Sequence, residues 1–130
     1  MDLKDYFENR KGLGVLATAD GEGRVDAAVY ARPHVTGDDT VALIMADRLS
    51  HANLQANPHA AYLFHEAGAG YEGVRLHLTK MGEETSPTKI QELRRRSTPE
   101  GCQGEEGDER FLVTFRVDRV RPLVGDGDVE

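Results

Sequence analysis

Short apolar runs punctuated by glycine- and aspartate-rich turns follow one another along this chain, with no regular strand–helix–strand alternation between them. Strands joined by tight turns pair antiparallel, whereas a parallel pair needs a crossover of about a dozen residues or more. The order therefore selects an antiparallel sheet curling on itself over a parallel α/β layer. At 130 residues the chain has room for one core, so 1–130 reads as a single domain.

Leu3, Tyr6 and Phe7 fall at helical spacing and predict a short N-terminal helix, stopped near Lys11-Gly12 and lying as a lid on a barrel end. Residues 14–19 and 24–35 read as a hairpin around Asp20-Gly21-Glu22-Gly23, where glycine accepts a positive φ without steric cost. The run Thr40-Val-Ala-Leu-Ile-Met-Ala46 is apolar on both faces, which predicts a strand buried on both sides and central in the sheet. Residues 50–56 read as a short helix capped by Ser50 and closed by Asn57-Pro58, and a strand follows over 59–66.

The alternation of Val74, Leu76 and Leu78 with Arg75, His77 and Thr79 predicts a half-buried strand over 73–81. Ser86-Pro87 starts a further helix, with Ile90 and Leu93 facing inward and Arg94, Arg95 and Arg96 in its last turn. Three glycines, a proline and five acids give 97–109 the composition of a mobile loop, and a last strand spans 110–124. The expected architecture is mainly β: an antiparallel six-stranded barrel with two or three short helices.

Sixteen Lys and Arg against twenty-three Asp and Glu give a formal charge of −7, without the basic footprint of a nucleic-acid or anionic-membrane binder. No apolar run approaches the ~20 residues of a membrane span, and the N-terminus carries acids and aromatics where a secretory signal has a basic patch and an apolar stretch. The single cysteine, Cys102, permits no internal disulfide and no thiolate metal cage. Its acidic surroundings give the thiol no cause for activation. These features point to a soluble chain in a reducing cytoplasm.

His59 and His65 lie on one strand roughly 20 Å apart at ~3.4 Å per residue, so they cannot share a metal ion. His77, beside Arg75 on a polar face, reads as an ordinary surface or interface side chain. Metalloprotease, nucleophile-elbow, Walker and dinucleotide-binding signatures are absent from the sequence. Arg48-Leu-Ser-His51, at the entrance of a helix carrying Asn53 and Leu54, admits two readings. The helix N–H groups with Arg48, Ser50 and His51 make a phosphate cradle; alternatively Ser50 caps the helix and Arg48 lies in solvent. Tyr30-Ala31-Arg32-Pro33-His34 likewise reads either as a place where a flat ligand meets backbone or as a bulged edge strand.

The segments Gly12-Leu-Gly-Val-Leu-Ala-Thr-Ala, Val25-Asp-Ala-Ala-Val-Tyr-Ala-Arg-Pro-His34 and Arg48-Leu-Ser-His-Ala-Asn-Leu-Gln-Ala-Asn-Pro-His-Ala-Ala-Tyr-Leu-Phe64 resemble the pyridoxamine 5′-phosphate oxidase-related, FMN-binding split-barrel family, in particular its short bacterial members. The resemblance covers about residues 10–124 and is most specific over 44–64, where Asn53-Leu54 and Asn57-Pro58 match the family pattern. It implies a split barrel and a homodimer with FMN in a groove between subunits. Arg48, Ser50 and His51 would hold the flavin phosphate, with Arg32 reaching across and Asn53 in the same motif. The ring system would lie along Tyr30, Ala31, Arg32 and Pro33 and along Ile44, Met45 and Ala46, and Tyr71 and Arg75 would come from the partner chain.

Two departures from the family bear on function. Many members carry a lysine where this chain has Ser50, which lowers the expected affinity for phosphate. The Arg- and His-bearing C-terminal motif of true pyridoxamine phosphate oxidases is missing from Val120-Arg-Pro-Leu-Val-Gly-Asp-Gly-Asp-Val-Glu130, which disfavours vitamin B6 oxidation. The resemblance thus implies an FMN-binding, flavin reductase-like oxidoreductase, fed by a nicotinamide cofactor or a redox partner. Because a flavin performs the electron transfer itself, no dedicated acid or base need appear in the sequence. A non-catalytic flavin carrier and a cofactor-free dimeric binding module are the alternatives, with a haem-binding variant using His34, His51 or His77 beside them.

Overall fold

The computed structural model describes residues 1–97 and 110–129, the side chains of 93–97 excepted. The loop expected over 97–109 lies outside the described residues, save Ser97, which still belongs to a helix. The predicted facing of Leu93 and of Arg94, Arg95 and Arg96 lies outside the described side chains.

Helix α1 (Leu3–Glu8) is capped by Asp2, whose carboxylate accepts the Asp5 N–H, and buries Leu3, Tyr6 and Phe7. It ends short of Lys11-Gly12 because Asn9 returns its backbone and side-chain donors to the Asp5 carbonyl, and Gly12 already opens the first strand. The chain continues through β1 (Gly12–Ala19), β2 (Val25–Val29), β3 (His34–Val35), β4 (Thr40–Ala46), α2 (Leu49–Ala56), β5 (His59–Glu66), β6 (Gly73–Glu84), α3 (Pro87–Ser97) and β7 (Arg110–Pro122). In the β1–β2 turn Asp20 Oδ1 accepts the N–H groups of Glu22 and Arg24, and Gly23 takes φ +85°.

Among the described residues seven strands, not the expected six, form one antiparallel sheet in the order β2-β1-β5-β6-β7-β4-β3. The extra strand arises because the predicted strand over 24–35 breaks at residues 30–33. Pro33 has no N–H to give a ladder, and the carbonyls of Tyr30 and Ala31 accept the Tyr62 hydroxyl instead. The edge strands β2 and β3 are consecutive in sequence, so residues 30–33 carry the chain from one edge of the sheet to the other. The barrel curls around its core and stays split there.

One main core fills the curl. Leu16, Val41, Leu43, Met45, Tyr62, Phe64, Val74, Leu76, Leu78, Val113 and Phe115 pack together under α1. Phe7 meets the rings of Tyr62 and Phe64 edge-on at 6.2 and 5.4 Å. Strand β4 is buried on both faces as predicted, but it is not central: it lies between β7 and the two-residue β3. Val41, Leu43 and Met45 face the main core, whereas Ala42 and Ile44 pack with Leu112 and Ile90 of α3. Strand β6 outlasts its predicted end at Met81, because a register shift between Lys80 and Gly82 lets it pair with β7 as far as Glu84. No helix among the described residues is long and apolar enough to cross a membrane.

Candidate functional site

The predicted site residues fall into three places. The first is the split itself. The β3–β4 ladder begins at the His34–Ala42 pair, and Ile44, Met45 and Ala46 at the end of β4 pair with β7. Ala31 is exposed, Tyr30, Arg32, Ile44 and Ala46 are half-buried, and Pro33 and Met45 are buried. Met45 belongs to the core and Ile44 to the α3 side, so what this strip offers outward is mainly backbone and small side chains. Arg32 does not reach toward α2: its Nη1 donates to the carbonyl of Phe7 in the last turn of α1 and to that of Arg10 just beyond it. A guanidinium there satisfies acceptors that a helix C-terminus leaves open.

The second place is the start of α2, four residues of chain beyond Ile44. The N-cap is Arg48, not Ser50, and it makes no side-chain cap hydrogen bond. Ser50 lies inside the first turn and is buried. Arg48, itself exposed, therefore offers the first-turn N–H groups no side-chain acceptor. His51 and Asn53 point inward. His51 stacks on Phe111 at 3.9 Å and contacts Glu83 at 2.9 Å and Asp47 at 3.4 Å, while Asn53 donates to the Thr18 hydroxyl at 3.1 Å. Burial raises the Glu83 pKa, but donors from Lys80, Gln55 and His51 outweigh it and hold the carboxyl at about 2. These contacts clamp α2 to β1, β6 and β7; they are absent from the sequence reading because their partners are distant in sequence.

The third place is the outer face of β6 and β7. Val74, Leu76 and Leu78 point into the core, leaving Arg75 and His77 outside with Arg119 and Arg121 of β7. Arg75 sits directly opposite Arg121, and His77 opposite Arg119. Arg121 Nε donates to His77 Nε2 at 3.1 Å and Nη1 to the Asp126 carbonyl; Arg75 donates to the carbonyls of Pro122 and Gly125. Burial and the charges of Arg121, Arg75 and Arg119 press the His77 pKa below its ordinary value. The sequence reading named Arg75 and treated His77 as ordinary surface. The spacing Arg119-Val120-Arg121, matching Arg75-Leu76-His77 across the pair, was the overlooked signal. Tyr71 is exposed on the loop before β6, edge-on to His65 at 6.3 Å.

A cleft of about 640 Å³ between residues 1–4 and 35–38, and a smaller one of about 330 Å³ lined by Asp39, Val117, Arg119 and Asp128 among others, lie outside the predicted set. No cluster of three or more His, Cys, Asp or Glu placed to hold a metal occurs among the described residues.

No family model matches the chain, and no curated protein does. Solved structures match its fold over nearly the whole length. An FMN-binding protein from Syntrophomonas wolfei subsp. wolfei has a TM-score of 0.74 at 15% identity, covering 97% of this chain and 86% of that one. HupZ from Group A Streptococcus gives 0.72 at 19% identity, covering 98% and 96%. A putative pyridoxamine 5′-phosphate oxidase from Listeria innocua gives 0.64 at 17% identity, covering 93% and 98%. HutZ, a haem storage protein from Vibrio cholerae, also matches, at 0.59 and 18% identity over 95% and 89%. The fold is the split barrel of the pyridoxamine 5′-phosphate oxidase-related proteins.

Proposed function

We propose that this chain is a flavin-binding oxidoreductase, flavin reductase-like, that holds FMN in a groove between two copies of itself. The observation that carries the reading is the start of α2, where the N-cap residue Arg48 gives the first turn no side-chain acceptor and follows the end of β4 closely in the chain. A helix N-terminus with an adjacent arginine is a ready site for a phosphate monoester. Similarity to an FMN-binding protein supports the choice of ligand.

The donor set fits FMN in part. Arg48 and the backbone N–H groups of Leu49, Ser50 and His51 would hold the phosphate. The half-buried and exposed backbone at Tyr30, Ala31 and Ala46 would line the ring. The Ser50, His51 and Asn53 side chains, turned inward, instead fix the helix that presents those N–H groups. A bound flavin supplies hydride and electron transfer, and the protein supplies binding and orientation.

The homodimer has its own support. Outward residues of β2, β1 and β5 form an apolar sheet face, with Val25 81%, Val29 71%, Leu13 54% and Leu63 36% exposed. Register aligns Val29, Val15, Leu63, Arg75 and Arg121 in one row and Ala27, Ala17, Ala61, His77 and Arg119 in the next. An apolar face of this extent marks an interaction surface, and burying it against a twin would bring Arg75 to the edge of the shared interface.

Haem is the second reading, supported by the likeness to HutZ. It is weakened because His77 Nε2 is engaged by Arg121 and His51 Nε2 contacts Glu83. Oxidation of NADH or NADPH by FMN-loaded protein tests the enzyme reading: turnover above that of free FMN is expected. Tight FMN retention without such turnover would make the protein a flavin carrier instead.

A further inference from the structure

The paired guanidiniums on the outer face of β6 and β7 pose a physical problem that the fold alone does not solve. Like charges at directly opposed positions of an antiparallel pair destabilise it. Yet Arg75 faces Arg121 in a chain whose net charge is −7. Among the described residues neither has a carboxylate partner. Arg75 is held by two backbone carbonyls, and Arg121 by one carbonyl and the ring nitrogen of His77. Carbonyls orient a guanidinium without neutralising it. The Asp128 carboxylate is taken in a two-point pair by Arg119, with Nε–Oδ1 at 2.5 Å and Nη2–Oδ2 at 3.1 Å, although its field also reaches Arg121.

The acceptors leave specific donors over. Among the described residues Arg75 donates through Nε and Nη2, which leaves Nη1 over, and Arg121 through Nε and Nη1, which leaves Nη2 over. A guanidinium can only donate, so His77 Nε2 accepts and its Nδ1 carries the ring proton. Two half-buried guanidiniums held in fixed orientation, beside a neutral imidazole, form a preorganised receptor for a compact dianion. The planar fork of arginine suits phosphate better than a point cation does.

We infer that Arg75 and Arg121, with His77 beside them, form a binding site for a phosphate monoester group, separate within the chain from the start of α2. It deepens the flavin reading in one respect: that reading places Arg75 at the groove between subunits, and the phosphate is then either that of FMN from the partner subunit or that of a phosphorylated substrate. The charge balance of the pair does not depend on which.

Inorganic phosphate titrated into the flavin-free full-length protein tests the site. The readouts are the phosphate-dependent rise in melting temperature and the His77 ring resonances. Binding is expected to raise the melting temperature and shift the His77 signals. Arg121→Gln and Arg75→Gln should each weaken binding by about tenfold or more, the loss of one charge-assisted contact. Because each variant is read against itself without phosphate, its own stability cancels, and either one suffices if the other fails to fold. Phosphate that fails to bind, or binds with equal affinity to the Gln variants, overturns the inference. FMN and riboflavin then separate the sources. FMN, but not riboflavin, displacing phosphate assigns the site to the flavin phosphate; FMN and phosphate bound together assign it to a substrate. Phosphate binding in a protein that retains no FMN leaves the site standing and removes the flavin reading.

Discussion

Ser50 shows how a residue reads differently alone and in the fold. Serine before an apolar stretch is the usual sign of an N-cap, and the following Asn-Leu fits a helix. The helix nevertheless begins one residue before Ser50, because Arg48 already has extended backbone while Leu49 is helical. Asn53 and His51 then turn inward to Thr18, Glu83 and Phe111. Asn53→Ala leaves a buried hydroxyl without its donor and should cost about 1–3 kcal/mol in denaturant unfolding. Histidine gives a pH prediction at this scale. Burial lowers the pKa of both His34 and His77 below the ordinary 6.5, so the unfolded chain binds more protons than the fold just below that value. Their contribution to stability is complete above pH 6.5 and declines as pH falls through the folded values. Melting temperature should fall on acidification from that point, and less steeply in His77→Gln.

At the scale of elements, what was legible in the sequence was what local pattern decides. The hairpin at Asp20-Gly21-Glu22-Gly23, the alternation on β6 and the Ser86-Pro87 helix start all rest on nearby residues, and the structure has each of them. The break at 30–33 was not legible, because the group that takes the Tyr30 and Ala31 carbonyls is a tyrosine on β5. Nor was the position of β4: its two buried faces answer to two different layers, and periodicity cannot say which strands flank it. The site was legible to the same extent. Arg48 and the strip beside it follow from local order, whereas the Arg75–Arg121 pair exists only through the β6–β7 register. Gly14 makes the dependence on distant partners testable. A Cβ there would stand 1.9 Å from the Tyr62 hydroxyl and 2.5 Å from the Tyr30 carbonyl, so Gly14→Ala should break the join between β1, β5 and residues 30–33. A loss of about 1–3 kcal/mol is expected, as for overpacking in a close-packed interior.

For the whole molecule, the split barrel brings together features that no single element carries. With the sheet left split, residues 30–33 cross between its two edges and the end of β4 leads directly toward the start of α2. The apolar face of β2, β1 and β5 ends in the basic rows of β6 and β7, so self-association and ligand binding are coupled in the proposed dimer. Val29→Lys, exposed on the edge strand of that face, should shift gel filtration from dimer to monomer and weaken FMN retention with it. The central claim, that the groove holds FMN with Arg48 on its phosphate, is tested most directly by an absorbance spectrum after adding FMN and desalting. A retained flavin band in the native protein, strongly reduced in Arg48→Ala, is the expected result. No retained flavin, or equal retention in both proteins, would contradict it.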